Sequence, residues 1–223
     1  MANSEWSMTT ERSKTAEHYS QLTATIPGTG QRQRETSILS MAGSGDTALD
    51  IGVRNGYFSL KLKQSYATVI ALDLCQPALP DCINVAGDVQ KLDFPDNSVD
   101  LVLSEVLEHV PDIETAAREI ARVTRRRAVI GVPYKQDLRL DRLTCIHCGH
   151  ISAPYGHLHS FDEDRLRRLF AGMKAVKFDY VGEQVRMSAP GELHCSSATT
   201  RGRNQMMMTS SLAGGSETRH LGY

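Results

Sequence analysis

No apolar run in the sequence approaches the roughly 20 residues that cross a bilayer as a helix, so a helical membrane span is excluded. The opening stretch, MANSEWSMTTERSKTAEHYS, has no apolar core of the kind that secretion signals carry. Charge of one sign is also missing: 25 Lys and Arg stand against 26 Asp and Glu, a formal net charge of −1. Broad nucleic-acid binding needs a basic face to neutralise phosphates, so no nucleic-acid partner is expected. Cysteine is scarce, with five in 223 residues, which argues against a disulfide scaffold and for reduced thiols or a metal site. A cytoplasmic protein follows from these absences. What remains is an ordinary globular composition, 40% apolar and 23% charged, at a length that suits one domain with extensions. Oligomeric state leaves no mark in the sequence.

Composition divides the chain in three. Residues 1–30 are polar and end in the breaker cluster Pro27-Gly28-Thr29-Gly30. Residues 31–189 carry the dense apolar pattern of a folded domain. Residues 190–223 are rich in Ser, Thr, Gly and Arg and have little to bury, so a disordered tail is expected. Met206, Met207 and Met208 form its only apolar cluster, read as chance.

Within the domain, strand and helix patterns alternate. Helices are predicted over 31–41, 57–64, 113–124 and 160–171, the last with Ser160 and Glu163 at capping-box spacing. Strands are predicted over 47–51, 67–74, 85–89, 99–103, 128–132 and 174–181. Nearly all-apolar strands between helices indicate a mostly parallel sheet buried on both faces, an α/β doubly wound fold. Ligands in such folds sit at the carboxyl ends of the strands. The first strand ends in Asp50-Ile51-Gly52-Val53-Arg54-Asn55-Gly56, where glycine lets backbone approach a ligand. The second ends in Asp73, whose carboxylate can accept two hydrogen bonds from a ribose diol. Gly87-Asp88 closes the third, and Ser104-Glu105 follows the fourth. One such Asp reads as a helix cap or turn former; three at successive strand ends point to a ligand site. The G-x-G-x-x-G dinucleotide fingerprint is absent, which disfavours a nicotinamide dehydrogenase.

LDIGVRNGYFS, ALDL and GDVQKLDFPDNSVDLVLSEVLEHV together resemble the class I S-adenosylmethionine-dependent methyltransferases, over roughly residues 45–183. The resemblance implies a Rossmann-like seven-stranded sheet whose last strand is antiparallel, S-adenosylmethionine as cofactor, and methyl transfer to a small-molecule acceptor. It further implies that Gly52 and Gly56 line the methionine part of the cofactor and that Asp50 fixes the loop and the cofactor's amino group. Asp73 would take the ribose hydroxyls, Asp88 with the Val89 backbone the adenine amino group, and Ser104 and Glu105 would lie under the methionine moiety. The N-terminal segment, including Tyr19, is a candidate lid. Arg54 stands where the family usually has a second glycine: it could point outward, contact the cofactor carboxylate or weaken binding. It favours the alternative reading, a catalytically inactive methyltransferase-fold binding protein.

Methyl transfer to a hydroxyl benefits from a general base, and His157 and His159 follow the fifth strand on one side of an extended segment. His109 reads instead as part of a helix start. Inside the 134–160 insertion, Cys145-Ile146-His147-Cys148-Gly149-His150 has the spacing of a zinc knuckle. His150, His157, His159, His194 and Cys195 are candidates for the remaining ligands. The competing reading is a pair of reduced thiols in an exposed loop. Arg118, Arg122 and Arg125 to Arg127 are expected to load a helix and its C-terminal end.

Overall fold

The computed structural model describes residues 29–140, 142–144, 149–182 and 205–212. Helix α1 (Thr29–Ala42) leads into β1 (Gly45–Ile51), α2 (Tyr57–Leu62), β2 (Tyr66–Asp73) and β3 (Ile83–Ala86). Strand β4 (Val99–Ser104), a 3-10 turn (Leu107–His109), α3 (Ile113–Val123) and β5 (Thr124–Pro133) follow. A two-residue hairpin, β6 (Leu143–Thr144) with β7 (Ile151–Ser152), precedes α4 (Glu163–Leu169), β8 (Met173–Val181) and β9 (Gln205–Leu212).

The main sheet has seven strands in the order β3-β2-β1-β4-β5-β9-β8. The first five are parallel, and β9 runs antiparallel to both its neighbours. The order turns back between β1 and β4, so the topological switch point lies at their carboxyl ends. Strands buried on both faces need helices on both. Ile38, Met41 and Ala42 of α1 and Phe58 and Leu62 of α2 pack with Ala48, Leu101 and Val129 on one side. Ile113, Ala116 and Ile120 of α3 and Leu166 of α4 pack with Leu49, Val102 and Ile130 on the other. This is the expected doubly wound α/β arrangement.

Three expectations are corrected. The first concerns residues 205–212, assigned to a disordered tail: they form β9, inserted between β5 and β8. Met206, Met207 and Met208 are fully buried, with Met206 and Met208 in one core layer and Met207 in the other. A strand buried on both faces shows no polar alternation, so three methionines amid Ser and Thr carried no recognisable period. The second correction is the start of α4. Asp162 caps the helix by accepting the Arg165 amide at 2.8 Å, and Ser160 lies outside it. The third is the arginine run, which belongs to β5 and not to a helix end. Arg125 there donates through Nε to Asp100 at 2.8 Å and through Nη2 at 2.7 Å, and Asp100 also accepts the Asp46 amide at 2.8 Å. The run therefore pins the amino end of the sheet, opposite the switch point.

Candidate functional site

The carboxyl ends of β1, β2 and β4 stand level, with Ile51 in register with both Leu72 and Ser104. Beyond β1 the chain turns at Gly52, whose amide donates to the Leu72 carbonyl at 2.8 Å. Gly52 has φ of 79°, and a Cβ there would lie 1.9 Å from Val106 Cγ1, so no other residue fits. Val53 and Gly56 close the next turn by a 2.7 Å bond. Arg54 occupies that turn in the left-handed region, φ 49°, with its side chain exposed. Its backbone amide donates to Asp73 Oδ2 at 3.2 Å, while Asp73 Oδ1 accepts the Leu74 amide at 2.7 Å. The loop after β1 therefore orients the carboxylate that ends β2. Asp88 is half-buried beyond β3 and accepts the Gln90 amide at 2.9 Å; Val89 beside it is buried in the core.

Asp50 is buried at the end of β1 and accepts a hydrogen bond from Ser59 Oγ at 2.6 Å. Burial pushes its carboxyl up to about 7, against the Ser59 hydrogen bond and with further help from the charges of Glu105 and Asp73. Ser104 is fully buried, and its Oγ has no hydrogen-bond partner among the described residues. Glu105 is likewise raised by burial, with Arg34 of α1 acting in the opposite sense. The Arg34 Nε lies 3.6 Å from Glu105 Oε1, an ion pair too long for a hydrogen bond, and neither atom has a hydrogen-bond partner among the described residues. The Glu105 side chain lies against Gly131 of β5, where a Cβ would stand 2.8 Å from Oε1. Helix α1 is held over this end by Tyr57, which donates to Glu35 at 2.5 Å, and by Lys61, 2.9 Å from the same carboxylate.

The segment carrying His157 and His159 crosses the 3-10 turn. The Leu158 amide donates to the Glu108 carbonyl at 2.7 Å, and His159 Nε2 donates to the Val110 carbonyl at 2.8 Å. His159 Nδ1 accepts from Arg165 at 3.3 Å, so both ring nitrogens are engaged and His159 braces the segment. That geometry does not suit the general-base role expected for it, which needs a lone pair turned to the acceptor. His157 is buried, and its Nδ1 donates to Gln136 Oε1. Its ring meets that of His109 edge to face, with centroids 4.8 Å apart. Glu108 is buried beside them, and burial raises its carboxyl to about 8. Burial lowers His109.

Strand-end reasoning brings together Asp50, Gly52, Gly56, Asp73, Asp88, Val89, Ser104 and Glu105. It missed Ser59, Arg34, Gly131 and Glu108, of which only Glu108 left a trace, as the second acid of Glu105-Val106-Leu107-Glu108. Cys145, Cys148 and Cys195, expected as zinc ligands, lie outside the described residues, as do His194 and Tyr19.

Residues 49–131 match the family described as Methyltransferase domain. The demethylmenaquinone methyltransferase of Mycobacterium sp. (strain KMS) is 35% identical over 117 residues, 47% of this chain and 49% of that protein. The chain spans about half the length of the curated relatives it matches. Among solved structures, N-methyltransferase NodS from Bradyrhizobium japonicum with S-adenosyl-L-homocysteine superposes with a TM-score of 0.62 and 16% identity, covering 89% of this chain and 97% of NodS. The 1,6-didemethyltoxoflavin-N1-methyltransferase of Burkholderia thailandensis, bound to 1,6-didemethyltoxoflavin and S-adenosylhomocysteine, gives a TM-score of 0.61 and 18% identity, covering 95% of this chain and 91% of that one. The fold is the Rossmann-like methyltransferase fold.

Proposed function

We propose that this protein transfers a methyl group from S-adenosylmethionine to a small-molecule acceptor. The observation that carries the reading is the set of carboxylates at the carboxyl ends of three adjacent parallel strands, Asp50, Asp73 and Asp88, on the β1 side of the switch point. One feature fits the cofactor: Ser104 Oγ is a buried polar atom without a hydrogen-bond partner among the described residues, which is costly unless a ligand satisfies it. Glu105 Oε1 makes no hydrogen bond there either and is met by Arg34 Nε at 3.6 Å.

S-adenosylmethionine would supply a methyl group already activated on a positively charged sulfur. Asp73, held by the Arg54 and Leu74 amides, would accept the ribose hydroxyls. Asp88 and the Val89 backbone would receive the adenine edge. Asp50 and Glu105, ionised, would attract the ammonium and sulfonium charges from opposite sides of the β1–β4 cleft. Catalysis would then be alignment of acceptor and methyl with exclusion of water. The exposed Arg54 side chain supports the outward arrangement, in which it leaves the cofactor room. The small-molecule class is supported by the Burkholderia thailandensis neighbour, which holds 1,6-didemethyltoxoflavin.

Calorimetric titration of S-adenosylmethionine into the full chain tests the reading. Saturable binding is expected, at least about tenfold weaker in Asp73→Ala, since that change removes charge-assisted hydrogen bonds. Absence of binding, or indifference to Asp73→Ala, overturns it. Binding without turnover of labelled methyl groups into a metabolite extract would select the non-catalytic alternative.

A further inference from the structure

The 3-10 turn Leu107–His109 and the end of the 134–160 insertion converge on a cluster that cofactor binding does not use. Glu108, His109 and His157 each direct a donor atom to one place, and those atoms lie within 4.8 Å of one another. We propose that Glu108, His109 and His157 form a binding site for a divalent first-row transition cation.

Three observations support the assignment. The first is that Glu108 is 6% exposed and its Oε2 has no hydrogen-bond partner among the described residues. An orphaned carboxylate oxygen in such surroundings is expensive, and a cation is the partner that relieves it most fully. The second is the way the imidazoles are held. His157 donates through Nδ1 to Gln136 Oε1, which places the lone pair on Nε2. The His109 ring is hydrogen-bonded to the Gly156 backbone. Ligating histidines are characteristically oriented by a carbonyl on the far nitrogen, which fixes the tautomer and raises basicity. The third is that the convergence is built in by the backbone. The Leu158 amide on the Glu108 carbonyl and the His159 ring on the Val110 carbonyl clamp one segment across the other on both sides of His157.

The donor set selects the ion. Two imidazoles and one carboxylate suit zinc, manganese, iron or cobalt better than magnesium or calcium, which take oxygen donors. Ligands about 2.0–2.2 Å from a tetrahedral ion stand roughly 3.4 Å apart, so the cluster draws inward on loading. Three protein ligands leave at least one coordination position for water or another oxygen donor. The inference rests on these side chains and not on methyl transfer, and the two fail separately.

The test uses the full chain carrying Cys145→Ser and Cys148→Ser, so that the thiol pair does not compete. Cobalt(II) is titrated and followed by visible absorption, which reports nitrogen and oxygen ligation without thiolate charge-transfer bands. Saturable uptake of one equivalent is expected. Glu108→Gln and His157→Asn should each weaken it at least tenfold. Gln136→Ala, which touches no metal, should weaken it by about 10- to 100-fold, as loss of an orienting partner does. Circular dichroism of each variant checks folding, and Gln136→Ala carries the test if a ligand variant fails to fold. No saturable uptake in the parent, thiolate bands in its spectrum, or parent-like affinity in Glu108→Gln or Gln136→Ala overturns the proposal. Titration of S-adenosylmethionine into the same proteins gives the separate readout for the cofactor reading.

Discussion

Arg54 shows how a departure from a glycine pattern can be absorbed by the backbone. Its φ of 49° lies where a Cβ costs roughly 1–2 kcal/mol, and its side chain reaches solvent without obstructing the loop. Arg54→Gly should therefore stabilise the protein by up to about 1 kcal/mol, seen as a higher midpoint in urea, with cofactor affinity unchanged within about twofold. A marked loss of affinity would instead make the guanidinium a cofactor ligand. Asp50, Asp73 and Asp88 were legible in the sequence because each follows an apolar strand at the point where a doubly wound sheet binds ligands. Ser59, Gly131 and Glu108 were not. Ser59 matters only because α2 returns it to Asp50, Gly131 only because Glu105 lies across β5, and Glu108 only because a segment some fifty positions later brings His157 back to it.

At the scale of elements, the parallel strands and β8 were readable and β9 was not. Strands β1, β2, β4 and β5 announce themselves as apolar runs bounded by glycine or polar turns, and their limits move by only a few residues. Strand β9 has a short apolar core of Met206, Met207 and Met208 between polar neighbours, and nothing local separates that from coincidence. Its burial is imposed by the two strands it joins. Met207→Ala should cost about 2–5 kcal/mol, the range for emptying a buried methionine site, measured by denaturant unfolding. A cost below about 0.5 kcal/mol would mean that β9 packs far more loosely than its burial implies. The cap of α4 makes a related point: Ser160 and Asp162 both satisfy a capping pattern, and only the backbone decides between them.

For the whole molecule, the charge balance hides a polarity. Arg125 and its carboxylate partners gather at the amino end of the sheet, while Asp50, Glu105 and Glu108 are buried near the carboxyl end with their carboxyls raised. Asp50 ordinarily titrates at 3.8 and here near 7, so the folded state binds the extra proton between those values. Its contribution to stability is full below about 4 and is lost as pH rises through 7. Asp50→Asn should accordingly gain in melting temperature relative to the native protein between pH 5 and pH 8, and S-adenosylmethionine should bind the native protein more tightly across the same interval. A melting-temperature difference that does not change with pH would show that Asp50 is already ionised at pH 5. The placement of β9 has a further consequence, in time and not in energy. Translation delivers β8 before β9, yet among the described strands β8 stands at the edge with β9 as its sole neighbour. Until residue 212 has emerged from the ribosome, the apolar flank of β5 stays open to stray strands, and the nascent chain depends on β9 to close that seam.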